Sequence, residues 1–179
     1  SRKFLSSLKN QTTFLDLKLN DIPNTVRSAM KSLKDLKISY LTVHLSSGLS
    51  ALRAIKKESK SIKIAGVTTL TSLNDKDLKE IGFNKEVNEL VKHQAKLAKK
   101  AKLDAIICSG HEIRSVKRVF NKEIITPGIK IQNIKNDQKR IMKPEDAFAA
   151  GSDWLVIGRS ITKGNIKKNI QNLLEILED

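Results

Sequence analysis

The sequence has little cysteine, few aromatic residues and no long apolar run, and each shortage excludes a class of protein. Its single cysteine, Cys108, cannot form an internal disulfide or supply a zinc cluster, which is typical of a reducing compartment. No stretch approaches the ~18 consecutive apolar residues of a membrane span. The N-terminal SRKFLSSLKN lacks the apolar segment of a signal peptide. We therefore expect a soluble, cytoplasmic protein.

Acidic residues are also scarce, since 34 Lys and Arg against 19 Asp and Glu leave a net charge of +15. Only seven of the basic residues are arginine, and aromatic residues make up 4% of the chain. Proteins that bind nucleic acids favour arginine for base edges and aromatic rings for stacking. The composition thus favours a solvated, lysine-rich surface over a nucleic-acid site. A non-catalytic basic protein that binds RNA or another acidic partner stays the alternative from another class.

The 179 residues, 39% of them hydrophobic, suffice for one folded domain over residues 1–179. Short apolar runs alternate with longer amphipathic stretches, which is typical of an α/β fold with parallel strands. The predicted strands are 14–17, 40–43, 62–68, 105–108, 124–126 and 154–157. The predicted helices are 24–36, 48–58, 85–102, 113–120, 145–150 and 166–177. No internal repeat is visible in the sequence.

Six such β-α steps are compatible with an open doubly wound sheet or with most of an eight-stranded barrel. A full barrel takes about 250 residues, which is longer than this chain. The pattern of apolar residues leaves both architectures open.

The densest polar cluster, FLDLKLNDIPNT, follows the first apolar run. Strand periodicity places Asp16 and Lys18 on one face, and Asp21 follows on the loop. Two carboxylates beside one ammonium would hold Lys18 charged and oriented, which suits a proton donor. A purely structural ion pair is the alternative.

Two further polar segments, TPGIK with NDQKR and then VIGRS, follow the last two predicted strands. Gly158 opens backbone N–H groups and Arg159 offers a guanidinium, the combination that binds phosphate after the late strands of α/β barrels. A tight turn with a surface arginine is the alternative. His44, His93 and His111 are widely separated, so no metal-ligand spacing stands out. His44 and Cys108 end apolar runs, and we expect both to be structural.

The ordered motifs together resemble the orotidine 5′-phosphate decarboxylase family from about residue 14 to residue 162. The matching segments are DLKLNDIPNT, VHLSSG, GVTTLTSL, IICSGHE, ITPGIK, NDQKRIMKPEDA and LVIGRSIT. The resemblance implies a (β/α)8 TIM barrel. It also implies decarboxylation of orotidine 5′-monophosphate to UMP without a metal or organic cofactor.

The resemblance further assigns roles to individual residues. Lys18 would protonate C6 of the pyrimidine, while Asp16 and Asp21 would position Lys18 and crowd the substrate carboxylate. A homodimer is implied, in which Asp21, Ile22 and Thr25 reach the neighbouring site. The other substrate-binding residues implied are Thr71 and Ser72 at the pyrimidine, Gln138 between base and phosphate, Gly158 and Arg159 at the phosphate, and Pro127 and Lys130 of TPGIK.

Three departures from the family pattern affect these expectations. Asn20 stands where the family usually has a histidine, and Lys130 replaces an arginine, which loses a bidentate contact with phosphate. The family's first two strands have no match, so we expect an N-terminally truncated barrel of about six strands with exposed edges. A related magnesium-dependent sugar-phosphate decarboxylase shares D-x-K-x-x-D and is the enzymatic alternative, although LTS, TPG and DQ-R argue against it.

Overall fold

A computed structural model describes residues 2–8, 11–131 and 142–178. Its strands are β1 (Phe14–Leu19), β2 (Tyr40–His44), β3 (Lys63–Val67), β4 (Ala105–Ile107), β5 (Glu123–Thr126) and β6 (Trp154–Leu155). Its helices are α1 (Arg2–Ser7), α2 (Pro23–Ser32), α3 (Gly48–Glu58), α4 (Asp75–Glu80), α5 (Val87–Lys100), α6 (Ile113–Lys117), α7 (Pro144–Ala150), α8 (Arg159–Thr162) and α9 (Ile166–Glu178).

All six predicted strands are present, with ends that shift by no more than two residues. The helix predicted over 24–36 ends at Ser32, because the Leu33 and Lys34 amides bond three residues back and tighten the chain into turns. The helix predicted over 113–120 ends at Lys117 for a similar reason, since Val119 N–H bonds to Val116 O. The short helices α4 and α8 were not predicted, since neither is long enough to show an apolar period.

The chain divides into two compact units, the first made of Ser1–Thr68 with His93–Ile106 and the second of Thr69–Lys92 with Ile107–Asp179. In the first unit, β1 runs parallel to β2 and β2 runs parallel to β3. In the second unit, β5 and β6 are parallel neighbours, with Ile125 opposite Trp154. The single domain over residues 1–179 stays a prediction.

The first unit has a densely packed interior. β2 and β3 each bury four of their five residues, the pattern of strands covered on both faces. α2 buries Val26 and Met30, which are spaced one helical turn apart, and α3 buries Ala51, Leu52, Ala54 and Ile55. The packing is close at Gly66, where a Cβ atom would lie 2.6 Å from Leu45 Cδ2.

The second unit is more open at its C-terminal end. β5 buries three of its four residues, but neither residue of β6 is buried, and Trp154 is 47% exposed. Within the described residues, α8 and α9 bury no side chain at all. The exposed apolar residues of α9 recur at helical spacing and are Ile166, Ile170, Leu174 and Leu177. Among the described residues, the C-terminal elements β6, α8 and α9 therefore bury no residue.

Proline and glycine residues lie at the helix ends where the sequence predicts them. Pro23 and Pro144 occupy first-turn positions, and Gly151 ends α7 in the left-handed conformation with φ 107°. Ser109 and Glu112 have the spacing of a capping box. The Ser109 hydroxyl accepts from His111 N–H at the start of a short 3-10 turn, and the buried Glu112 ends that turn before α6.

At three places, a reciprocal pair of hydrogen bonds joins the start of one strand to the residue that precedes the next strand. We call each such pair a pin. Asp104 N–H donates to Ile64 O (3.0 Å), while the Asp104 carboxylate accepts from Ile64 N–H (2.9 Å) and Lys56 Nζ (2.5 Å). The second unit repeats this pin with Asp153, Ile124 and Lys117. Ser39 and Thr13 form a neutral version before β2. The sequence analysis did not detect this repeat.

Much of the positive charge lies on helix surfaces. The α5 lysines Lys92, Lys96, Lys99 and Lys100 are all exposed, as expected of the polar side of an amphipathic helix. None of the described helices combines the length and the apolar character needed to cross a membrane.

Candidate functional site

The first polar cluster lies on an irregular strand. Leu15 of β1 pairs with Leu41, and Leu19 pairs with Val43, so three residues of β1 lie opposite the single residue Thr42 of β2. This is a β-bulge, which changes the direction of side chains locally. Within it, Lys18 has φ 47°, a left-handed backbone that is costly for a residue with a Cβ. Such strain within a strand is typical of a functional site.

The bulge brings Asp16 and Lys18 into contact. The Lys18 ammonium donates a hydrogen bond to Asp16 Oδ2, and both side chains remain about two-fifths exposed. The other carboxylate oxygen, Oδ1, accepts from the Thr42 hydroxyl at 2.9 Å. The Thr42 oxygen in turn accepts from Lys18 N–H at 2.7 Å. An exposed amine is thus held beside a carboxylate that is itself anchored to a buried strand.

The loop after β1 carries the remaining residues of the signature. Asp21 Oδ1 accepts from Ile22 N–H at 2.7 Å, just before α2 begins. Ile22 is 66% exposed, and Thr25 is exposed in the first turn of α2. Asn20 Oδ1 accepts from the Ser47 hydroxyl at 3.0 Å, which ties this loop to the segment after β2. Among the described residues, Asp21 and Lys18 form no hydrogen bond or ion pair with each other.

His44 ends β2, two residues after Thr42, and is half-buried. Burial lowers the pKa of His44 below its ordinary value, and the positive charge of Lys18 lowers it further. The negative charge of Asp16 acts in the opposite direction but is the smallest of the three effects. His44 is therefore a neutral neighbour of the charged pair near pH 7.

Thr71, Ser72, Pro127 and Lys130 all belong to the second unit. The half-buried Thr71 and the exposed Ser72 lie in the turn that follows β3 along the chain, and the half-buried Pro127 directly follows β5. Lys130 N–H donates to Met142 O at 3.1 Å, and its side chain is half-buried. Gln138, the residue expected to bridge base and phosphate, lies outside the described residues.

Gly158 and Arg159 lie at the start of α8, where both are exposed. A cavity of about 410 Å³ adjoins Arg159, a volume typical of small-ligand sites. Arg159 and Lys163 give it positive charge. Its other lining residues are Ile131, Ser160, Gly164, Asn169 and Asn172. Asn169 Nδ2 donates to Ile161 O and Lys163 O, which fixes the turn between α8 and α9.

Sequence analysis missed two features of the site. Thr42 was counted as part of an apolar run, and the only signal for it was a hydroxyl in the middle of YLTVH. Lys163 was missed because it lies between the LVIGRSIT motif and the predicted helix 166–177, and Asn169 was missed because it lies within that predicted helix. Among the described residues, no group of three or more His, Cys, Asp or Glu side chains could hold a metal ion.

Comparisons with known proteins agree with the motifs. The model of the orotidine 5′-phosphate decarboxylase / HUMPS family matches residues 2–170. The orotidine 5′-phosphate decarboxylase of Wolbachia sp. subsp. Brugia malayi is 45% identical over 170 residues, which cover 92% of this chain and 75% of the relative. The enzyme of that name from Carboxydothermus hydrogenoformans is 39% identical and covers 98% of this chain, which spans 79% of it.

Solved structures give the same result. The crystal structure of orotidine 5′-phosphate decarboxylase from Lactobacillus acidophilus superposes with a TM-score of 0.84 at 29% identity, over 99% of this chain and 80% of that one. The architecture is therefore that of a (β/α) barrel, of which this chain contains six strands among its described residues. An open doubly wound sheet is excluded.

Proposed function

The chain belongs to the orotidine 5′-phosphate decarboxylase / HUMPS family, and from that premise we propose that it decarboxylates orotidine 5′-monophosphate to UMP and CO2 through Lys18. This reaction completes de novo pyrimidine synthesis. The observation that carries the proposal is the contact between the Lys18 ammonium and Asp16 on the bulged strand. The bond between C6 and the carboxylate breaks, its electron pair stays on C6, and Lys18 Nζ delivers a proton there.

The neighbouring carboxylates give this step its electrostatics. Asp16 orients the amine, because the Lys18 ammonium donates a hydrogen bond to Asp16 Oδ2. The same negative charge lies close to the carboxylate that the substrate loses, so the repulsion between them is relieved as CO2 departs. In the homodimer proposed below, Asp21 supplies the second carboxylate to the site of the neighbouring subunit.

The other side chains bind the substrate. Thr71 and Ser72 contact the pyrimidine, and Gln138 bridges base and phosphate. Pro127 and Lys130 line the site, while Gly158 and Arg159 hold the phosphate. The positively charged cavity beside Arg159 supports the last assignment. Binding energy from a phosphate far from C6 lowers the barrier when it is realised only in the transition state.

The test is a spectrophotometric assay of orotidine 5′-monophosphate loss, with Lys18→Ala as the matched variant. We expect Lys18→Ala to abolish measurable turnover while the folded signal in circular dichroism is retained. The same pair of assays is run on a chimera that carries the extra segment of the Wolbachia relative. If Lys18→Ala turns over substrate as fast as the parent in both backgrounds, the assigned role of Lys18 is wrong.

We also propose that the protein acts as a homodimer in the cytoplasm. The exposure of Ile22 and Thr25 beside Asp21 supports an interface there, and the single buried Cys108 suits a reducing compartment. Chains carrying Lys18→Ala and chains carrying Asp21→Ala are each expected to be inactive. Mixing them restores one intact site per mixed dimer, which gives roughly a quarter of parental activity under two-fold symmetry. No recovery on mixing would show that Asp21 serves its own chain.

Two further measurements on the same protein preparation distinguish the proposed function from the magnesium-dependent and the nucleic-acid-binding alternatives. Turnover that is unaffected by EDTA excludes a magnesium requirement. Salt-dependent retention on RNA together with no affinity for UMP would instead favour the basic-binding alternative.

A further inference from the structure

Thr42 is a polar side chain in β2, a strand of the first unit that buries four of its five residues. Its residue is 0% exposed, and its neighbours Leu41 and Val43 are equally buried. A hydroxyl in such a place is stable only when its hydrogen bonds are made. Both of its bonds go to the acid–amine pair, Asp16 and Lys18: it donates to Asp16 Oδ1 and accepts from Lys18 N–H.

The two bonds have a clear structural reason. Opposite Thr42, β1 contains three residues where a regular ladder would have one, so the backbone amides of the bulge lack regular partners in β2. The Thr42 hydroxyl replaces a strand carbonyl as the acceptor for Lys18 N–H, and that bond stabilises the left-handed φ of 47°. The proton of the same hydroxyl is then directed at the Asp16 carboxylate.

We propose that Thr42 is the positioning residue of the acid–amine pair, setting the Lys18 backbone and the Asp16 carboxylate through one hydroxyl. The inference rests on the proposed function for its kinetic test but not for its structural test. Because the hydroxyl contacts both partners, its loss frees the direction of the ammonium as well as that of the carboxylate. Thr42 acts through its hydrogen bonds to Lys18 N–H and Asp16 Oδ1, which makes it a positioning residue.

The structural test is amide hydrogen exchange at Lys18, measured by NMR on the intact chain without substrate. Thr42→Val keeps the shape of the side chain and removes the hydroxyl, whereas Thr42→Ser keeps the hydroxyl. We expect the Lys18 amide to exchange at least about tenfold faster in Thr42→Val, because a hydrogen bond of about 1.4 kcal/mol corresponds to a factor of ten. Thr42→Ser is expected to retain the parental protection.

The kinetic test uses the decarboxylation assay. A hydrogen bond to a charged group contributes about 1.5–3 kcal/mol, so kcat of Thr42→Val should fall by roughly 10- to 100-fold. KM should change by less than about threefold, because the groups that bind the phosphate lie elsewhere in the sequence. Thr42→Ser should recover kcat to within about threefold of the parent.

Ser59→Ala is the matched control, since Ser59 is also buried in the first unit and its hydroxyl bonds only to Lys56 O. It should lower stability without changing Lys18 exchange or kcat. Parental Lys18 exchange in Thr42→Val overturns the proposal, as does an equal loss of kcat in Thr42→Val and Thr42→Ser. If the parent shows no decarboxylation, the proposed function fails, while the exchange measurement still decides the role of Thr42.

Discussion

The two units share the same pin but differ in how firmly they hold their functional residues. In the first unit, the acid–amine pair is hydrogen-bonded to β2, where four of five residues are buried. In the second, Arg159 and Lys163 lie in and just beyond α8, which buries no residue. The proposed proton donor is therefore held against a buried strand, whereas the arginine proposed to bind phosphate lies on a helix that buries no side chain.

The largest expected difference between the units is in stability. Leu41→Ala removes a fully buried side chain from β2 and should cost about 2–5 kcal/mol of unfolding free energy. Leu174→Ala, on the 48% exposed face of α9, should cost less than about 1 kcal/mol. Urea denaturation followed by circular dichroism measures both. An equal loss of unfolding free energy in the two variants would show that α9 is covered in solution. The difference in burial between the two units would then not hold.

A smaller difference is expected for two glycines. Gly66→Ala places a methyl group 2.6 Å from Leu45 Cδ2 and 3.0 Å from Leu103 Cδ1, and both of these side chains are buried, so the core must shift to accept it. Overpacking of this kind costs about 1–3 kcal/mol. Gly158→Ala meets nothing within 4 Å, so its melting temperature should match that of the parent. A stable Gly66→Ala variant would mean that the first unit is less tightly packed than the structure indicates.

A third comparison concerns substrate binding by the second unit, between the parent protein and the Lys130→Arg variant. Lys130→Arg restores a planar donor group that can contact phosphate through two N–H bonds. An additional charge-assisted bond of about 1 kcal/mol should lower KM for orotidine 5′-monophosphate by roughly fivefold, with kcat unchanged. Steady-state kinetics of the two proteins measures the effect. An unchanged or higher KM would argue against a phosphate role for Lys130.

The smallest effect is a pH dependence in the first unit. Burial and Lys18 depress the pKa of folded His44, so the unfolded chain takes up a proton at this residue more readily than the folded chain. Unfolding free energy should therefore fall as pH drops below the unfolded pKa of about 6.5. The change should be less than about 1 kcal/mol, because the side chain is half-exposed and partly screened. His44→Asn should flatten the profile, and a parental slope in that variant would assign the effect elsewhere.

The sequence predicted the existence of every strand, because apolar β-branched runs bounded by polar turns depend only on local pattern. It also placed Asp16 and Lys18 side by side, although by regular alternation instead of the bulge that the structure shows. The bulge was not predictable, since it arises from the pairing of β1 with Thr42 in another strand. The ends of α2 and α6 were wrong for a related reason: turn hydrogen bonds at Leu33 and Val119 end helices whose apolar pattern continues.

The pins formed by Ser39, Asp104 and Asp153 have a consequence for how such a protein changes length in evolution. Each pin joins the start of one odd-numbered strand to the residue before the next even-numbered strand, so the repeating module is two strands long. A lineage can gain or lose one whole module while every remaining module keeps its own pin.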